Sequence, residues 1–127
     1  MATLTAKLTL TSSATSDSLN LSVTDTLTIT DPLISPSHVA IAVGGGSDTT
    51  LVASSASNKY VYIRHTGLND SGAATDNEVV VDFGTTDSIR LSTGEFTFFP
   101  AKASTAITAV SNHTSTIVVE YAYWTKG

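Results

Sequence analysis

The chain has 127 residues, enough for one domain with a real core, and none is cysteine, which removes disulfide scaffolds, thiol catalysis and thiolate metal sites together. Six Lys and Arg stand against eleven Asp and Glu, a formal charge of −5, so binding a nucleic acid by neutralising its phosphates is disfavoured. Charged residues make up only 13%, about half the usual share, and Ser with Thr fill the gap, giving a surface rich in hydroxyls rather than ions.

Taken from its start, the chain reads as strands. Leu4, Ala6, Leu8 and Leu10 alternate with Thr3, Thr5, Lys7 and Thr9, a half-buried strand. The one Lys lies inside this alternation and not ahead of an apolar run, which is no secretion signal, and the start reads as cytosolic. Ser12 to Ser18 is a polar turn. Leu19, Leu21, Val23, Leu27 and Ile29 then fall on odd positions, with Asp25 the one interruption, a charge that suggests a bend or an edge. The two segments suit a hairpin, and Asp31-Pro32 with Ser35-Pro36 breaks the chain after them. Residues 1–36 are therefore expected as an N-terminal arm or hairpin and residues 37–127 as a β-sandwich body, the whole making one compact domain. The competing reading makes the first two segments ordinary strands of the sandwich.

Val39, Ile41 and Val43 form the next strand, ended by Gly44, Gly45 and Gly46. That triplet is no phosphate loop, because neither GK[ST] nor a helix follows and Asp48 would repel an anion. Thr49 to Ala53 is a short strand and Lys59 to Thr66 a firmer one, with Val61 and Ile63 on one face and Tyr60, Tyr62 and Arg64 on the other. Gly67 to Asn77 is a polar loop, the place where function is most often carried. Val79, Val81 and Phe83, then Ile89 and Leu91 across a turn at Gly84 to Asp87, continue the pattern. Gly94 suits a tight turn that needs positive φ. Phe96 and Phe98 then share one face while Thr97 and Phe99 share the other, and Pro100 must end that strand or place it at an edge. A short strand is expected within the stretch AKASTAITAVSNHTSTIV that follows. Thr116 to Trp124 combines β-branched and aromatic residues, with Ile117, Val119, Tyr121 and Tyr123 on one face and Val118, Glu120, Ala122 and Trp124 on the other. Near ten strands at regular spacing, with no helical period and no apolar run of about 18 residues, predict an all-β, jelly-roll-like β-sandwich.

Chemistry is sparse. Asp70, Asp76, Glu78, Asp82 and Asp87 lie close enough in sequence to offer oxygens to Ca²⁺, but without the spacing of a calcium loop, and acidic loops are ordinary on an acidic protein. His38, His65 and His113 share no metal-binding spacing. No nucleophile elbow or Ser-His-Asp set stands out, and Glu78, Glu95 and Glu120 serve glycoside hydrolysis only if folding brings them to one cleft. Sequons at Asn20, Asn69 and Asn112 are of the kind a Ser- and Thr-rich chain yields by chance. No catalytic, cofactor or metal residue is therefore expected. The aromatic set Tyr60, Tyr62, Phe98, Phe99, Tyr121, Tyr123 and Trp124 exceeds what one face per strand needs and points to a protein interface. The expected interface residues are Leu4, Leu8, Leu10, Tyr60, Tyr62, Phe99, Tyr123 and Trp124.

The opening ATLTAKLTLTSSATSDSLNLSVTDTLTIT, the central YVYIRHTG, the GEFTFFPAK turn and the closing VVEYAYWTKG resemble small virion proteins of tailed bacteriophages, particularly of marine hosts. The resemblance covers both ends and the middle of the chain, and its motifs are structural. It implies a capsid decoration, or cement, protein that binds the major capsid protein of the assembled head, commonly as a homotrimer, with no cofactor and no contact with nucleic acid or membrane. Three alternatives compete: a tail, neck or fibre component of the virion; a carbohydrate-binding sandwich using Tyr60, Tyr62 or Trp124 as a platform; and an enzyme built on the three glutamates.

Overall fold

The computed structural model describes residues 2–13, 19–30, 36–44, 48–112 and 114–127. The expected turn at Ser12 to Ser18 falls largely outside them, as do Asp31-Pro32, Ser35, Gly45, Gly46 and His113. Ten strands appear among the described residues: β1 (Ala2–Thr11), β2 (Asn20–Ile29), β3 (Ser37–Ile41), β4 (Thr49–Val52), β5 (Lys59–His65), β6 (Val79–Phe83), β7 (Thr86–Leu91), β8 (Phe96–Ala101), β9 (Ile107–Ser111) and β10 (Ile117–Thr125). No helix is among them.

β1 and β2 form their own two-stranded antiparallel sheet, Ala2 opposite Ile29 and Thr11 opposite Asn20. Leu4 therefore faces Leu27, Leu8 faces Val23 and Leu10 faces Leu21, so one side of the hairpin is apolar while Thr3, Thr5, Thr9, Ser22, Thr24, Thr26 and Thr28 cover the other. Asp25 causes no bend. It stands opposite Ala6 within an unbroken ladder, tolerated because both strands of a two-stranded sheet are edges.

The remaining strands make two antiparallel sheets, ordered β3-β10-β5-β8 and β4-β9-β6-β7. Their pairing is nested: β6 pairs with β7, β5 with β8, β4 with β9 and β3 with β10. Alternate pairs of this ribbon fall in opposite sheets. Between the sheets lies one core to which both contribute, Ile41, Val61, Ile63, Ile117 and Val119 from the first and Leu51, Val52, Val79, Val81, Leu91, Ile107 and Ala109 from the second. Each of the Val, Leu and Ile side chains contributes about 1.5–3 kcal/mol when fully buried, and all of the cluster lies between Ile41 and Val119. None of these core residues comes from the hairpin.

Pro100 does not end β8. Residue Ala101 continues the strand, and Pro100 is accommodated because β8 lies at a sheet edge, where a missing N–H breaks no ladder. The turn before it uses Gly94 at φ 81°, the left-handed region that a side chain resists.

Candidate functional site

Period-two alternation gives the β3-β10-β5-β8 sheet an inner face of core residues and an outer face of a different kind. Strand register sets that outer face in rows: Trp124, Tyr60 and Pro100; Ala122, Tyr62 and Phe98; Glu120, Arg64 and Phe96, with His38 beyond Glu120. The rings of Tyr60 and Phe98 stack at 6.0 Å between centroids, and the Lys126 ammonium lies 4.8 Å from the Tyr60 ring. Phe96 is 60% exposed and Phe98 39%, both unusual for aromatic side chains.

The hairpin is fastened above this face. Thr30 donates its backbone N–H to the Thr125 carbonyl (2.9 Å), Gly127 donates to the Thr28 carbonyl (2.9 Å), and Ile29 is fully buried at the junction. From there the hairpin diverges from the sheet and leaves a groove of about 770 Å³, with Leu4, Ala6, Leu8, Leu10, Val23 and Leu27 on the hairpin wall and Tyr60, Tyr62, Phe96, Phe98, Pro100 and Trp124 on the sheet wall. Burial falls along the hairpin: Leu4, Ala6 and Leu27 are partly covered, whereas Leu8 and Leu10 are each 45% exposed and Val23 55%. Leu19 and Leu21 are exposed with them. An isolated two-stranded hairpin is marginal in water, and its apolar distal half is left uncovered among the described residues.

Six of the eight expected interface residues, Leu4, Leu8, Leu10, Tyr60, Tyr62 and Trp124, line this one groove. Phe99 and Tyr123 do not: both pack against the core from the inner face, Phe99 with its ring 5.0 Å from that of Phe83. Phe96, Phe98 and Val23 belong to the surface and were not among the eight. Their signal was parity, since Phe96 and Phe98 share the face of Pro100, and Val23 that of Leu21.

Polar groups at the site are tied to one another. The Tyr62 hydroxyl donates to Glu120 Oε1 at 2.6 Å, and burial, then that hydrogen bond and the carboxylate charge, push the phenol up to about 12. Glu120 Oε2 also lies 3.4 Å from His38 Nε2. Arg64 stands directly across the ladder from Glu120 yet has no ion-pair partner among the described residues, and Asp25 on the hairpin has none either.

The other chemical candidates are dispersed. His65 is fully buried, its Nε2 donating to the Asn77 carbonyl (2.7 Å) and its Nδ1 accepting from the Gly67 N–H (2.9 Å), a satisfied core histidine that anchors the 67–77 loop. Asn69 Oδ1 accepts from the Ser71 and Ala73 N–H groups within that loop, which closes on itself. Glu78 accepts from Asn112 and Arg90, Glu95 accepts the Ser92 N–H in the β7–β8 turn, and Glu120 sits on the outer face, so the three glutamates belong to three separate networks. Among the described residues no three His, Asp or Glu side chains are placed to hold a metal ion. One carboxylate is unusual: Asp82 on β6 is buried, its Oδ1 has no hydrogen-bond partner among the described residues, and burial together with the neighbouring Asp48 and Asp87 carboxylates pushes it up to about 7. No protein-family model matches this chain, and no curated protein or solved structure is significantly similar to it.

Proposed function

We propose that this chain is a structural assembly protein of a virus particle, a decoration protein that attaches to the assembled head and performs no chemistry of its own. The observation that carries the reading is the hairpin, whose distal apolar face stands clear of a body that has already completed its own core. A chain that folded only for itself would have no use for four exposed Leu and Val side chains on one side of a ladder. Nested pairing of eight strands, with alternate pairs in opposite sheets, supports a jelly-roll wrapping, an architecture found in viral capsid domains among others. Such a wrapping hosts many functions; the hairpin and the phage-like motifs at both ends narrow the choice. Attachment by many copies gains from multivalency, so no single contact need be strong.

The test is quantitative imaging and protein counting on purified particles of the virus that encodes the chain. The reading expects density for this fold on the shell, in copy number commensurate with the shell subunits. A few copies confined to the tail would replace the decoration role with a tail or fibre role, and absence from the particle would end the proposal.

A further inference from the structure

Both walls of the groove are apolar, and both are uncovered. Leu8, Leu10 and Val23 are exposed on the hairpin wall, and across the groove so are Phe96 and Phe98 on the sheet wall. Apolar side chains separated by water gain by meeting, and because one chain carries both sets, their meeting costs no second molecule its freedom. The hairpin is also held at one end. Among the described residues its backbone bonds to the body are those of Thr30 with Thr125 and of Gly127 with Thr28, on either side of the Ile29 to Lys126 bridge, and β1 and β2 otherwise pair with each other alone. The distal half can therefore pivot about the junction without breaking a ladder. Charge does not oppose the motion. The hairpin wall brings one cation, Lys7, and one anion, Asp25, while Arg64 and Glu120 stand in the same row of the sheet as Phe96, so both signs are present on both sides.

We propose that the hairpin is a lid on its own sheet: in the free chain its distal half swings about the Ile29 junction to lay Leu8, Leu10 and Val23 on Phe96 and Phe98, and attachment draws it open. The inference rests on the assembly reading above and adds regulation to that same site. Closed, the chain turns the hydroxyl side of the hairpin to water and hides the apolar side, which keeps free copies from sticking to one another. Open, it offers both walls to the particle. A partner shifts the balance only by binding the open form better than the closed one.

The chain has no cysteine of its own, so a thiol pair placed across the groove reports closure directly. Val23→Cys with Phe96→Cys joins the two walls, and Thr24→Cys with Phe96→Cys is the control, because Thr24 lies on the hydroxyl side of the ladder. All three positions are exposed, so the fold tolerates the changes, which thermal melts check. A disulfide needs Cα atoms within about 7 Å, and its extent at a fixed glutathione ratio gives the effective concentration of one thiol at the other. Within single chains the groove pair is expected to exceed the control at least about tenfold, and adding Leu8→Ser and Leu10→Ser to bring it down toward the control. The oxidised chain, locked shut, should fail to coat particles that its reduced form coats. Equal values for the two pairs, bonds formed only between chains, no response to the serines, or a locked chain that coats particles as well as the reduced one would each overturn the inference. The reduced chain judges the decoration reading separately: if it coats particles while these results fail, only the lid falls.

Discussion

At the scale of single residues, the most informative side chain is one that takes no part in the groove. Asp82 sits at the end of an apolar run on β6, within reach of the Asp48 and Asp87 carboxylates, and its folded-state pKa is pushed from the ordinary 3.8 up to about 7. The folded chain therefore binds this proton more tightly than the unfolded chain does. Stability from Asp82 is fully present below about pH 4 and is lost as pH rises through 7. With each pKa unit worth about 1.4 kcal/mol, the loss by pH 8 is on the order of a few kcal/mol. Urea unfolding at pH 5 and pH 8 should give a lower midpoint at pH 8, and Asp82→Asn should raise the pH 8 midpoint and flatten the difference. Equal midpoints for the native protein would contradict this. The run VVVDF shows in sequence that Asp82 lies in a strand, but its neighbours do not: Asp48 comes from before β4 and meets it only through the pairing of β6 with β9 and β9 with β4. His65 is similar. Alternation places it on the inner face, while its partners Asn77 and Gly67 depend on how the following loop closes.

At the scale of elements, strands such as β1, β2, β5 and β10 were legible because hydroxyl or aromatic residues alternate with apolar ones, whereas β6, buried from Val79 to Asp82, shows no alternation. Which face of each turned inward was harder. β5, β8 and β10 carry bulky residues on both sides, so Phe99 and Tyr123 looked as suited to an interface as Phe98 and Tyr62, and only the second sheet decides between them. Strand order was not legible, since nested pairing joins segments as far apart as β3 and β10. The junction of hairpin and body makes its own prediction through Trp124, which is partly buried with its indole N–H lacking an acceptor among the described residues. Trp124→Ala should destabilise the chain by about 2–4 kcal/mol, toward the low end of losses for large aromatics because burial is partial. Trp124→Phe should recover much of that, as it keeps a ring and discards an unsatisfied donor. Thermal melts decide it, and a Phe variant as unstable as the Ala variant would show that the N–H matters. Removing residues 1–36 tests the division of labour between the elements. The core cluster spans Ile41 to Val119, so the remainder should still unfold cooperatively, with a lower Tm and a tendency to aggregate through uncovered Tyr60 and Trp124. Loss of cooperative unfolding would make the hairpin part of the core.

At the scale of the whole molecule, a low-charge, hydroxyl-rich body completes its own interior and then presents one apolar groove between a projecting hairpin and an aromatic sheet face. Affinity in such a design comes from area and copy number, with little contribution from long-range charge. The most direct measurement is attachment of a hairpin variant, Leu8→Ser, Leu10→Ser and Val23→Ser together, to purified particles lacking the native chain, read by cosedimentation and imaging beside the native protein. These side chains are largely exposed, so the thermal transition should stay close to that of the native chain, while decoration of the shell should fall at least about tenfold. A folded triple variant that covers particles as densely as the native chain would contradict the account.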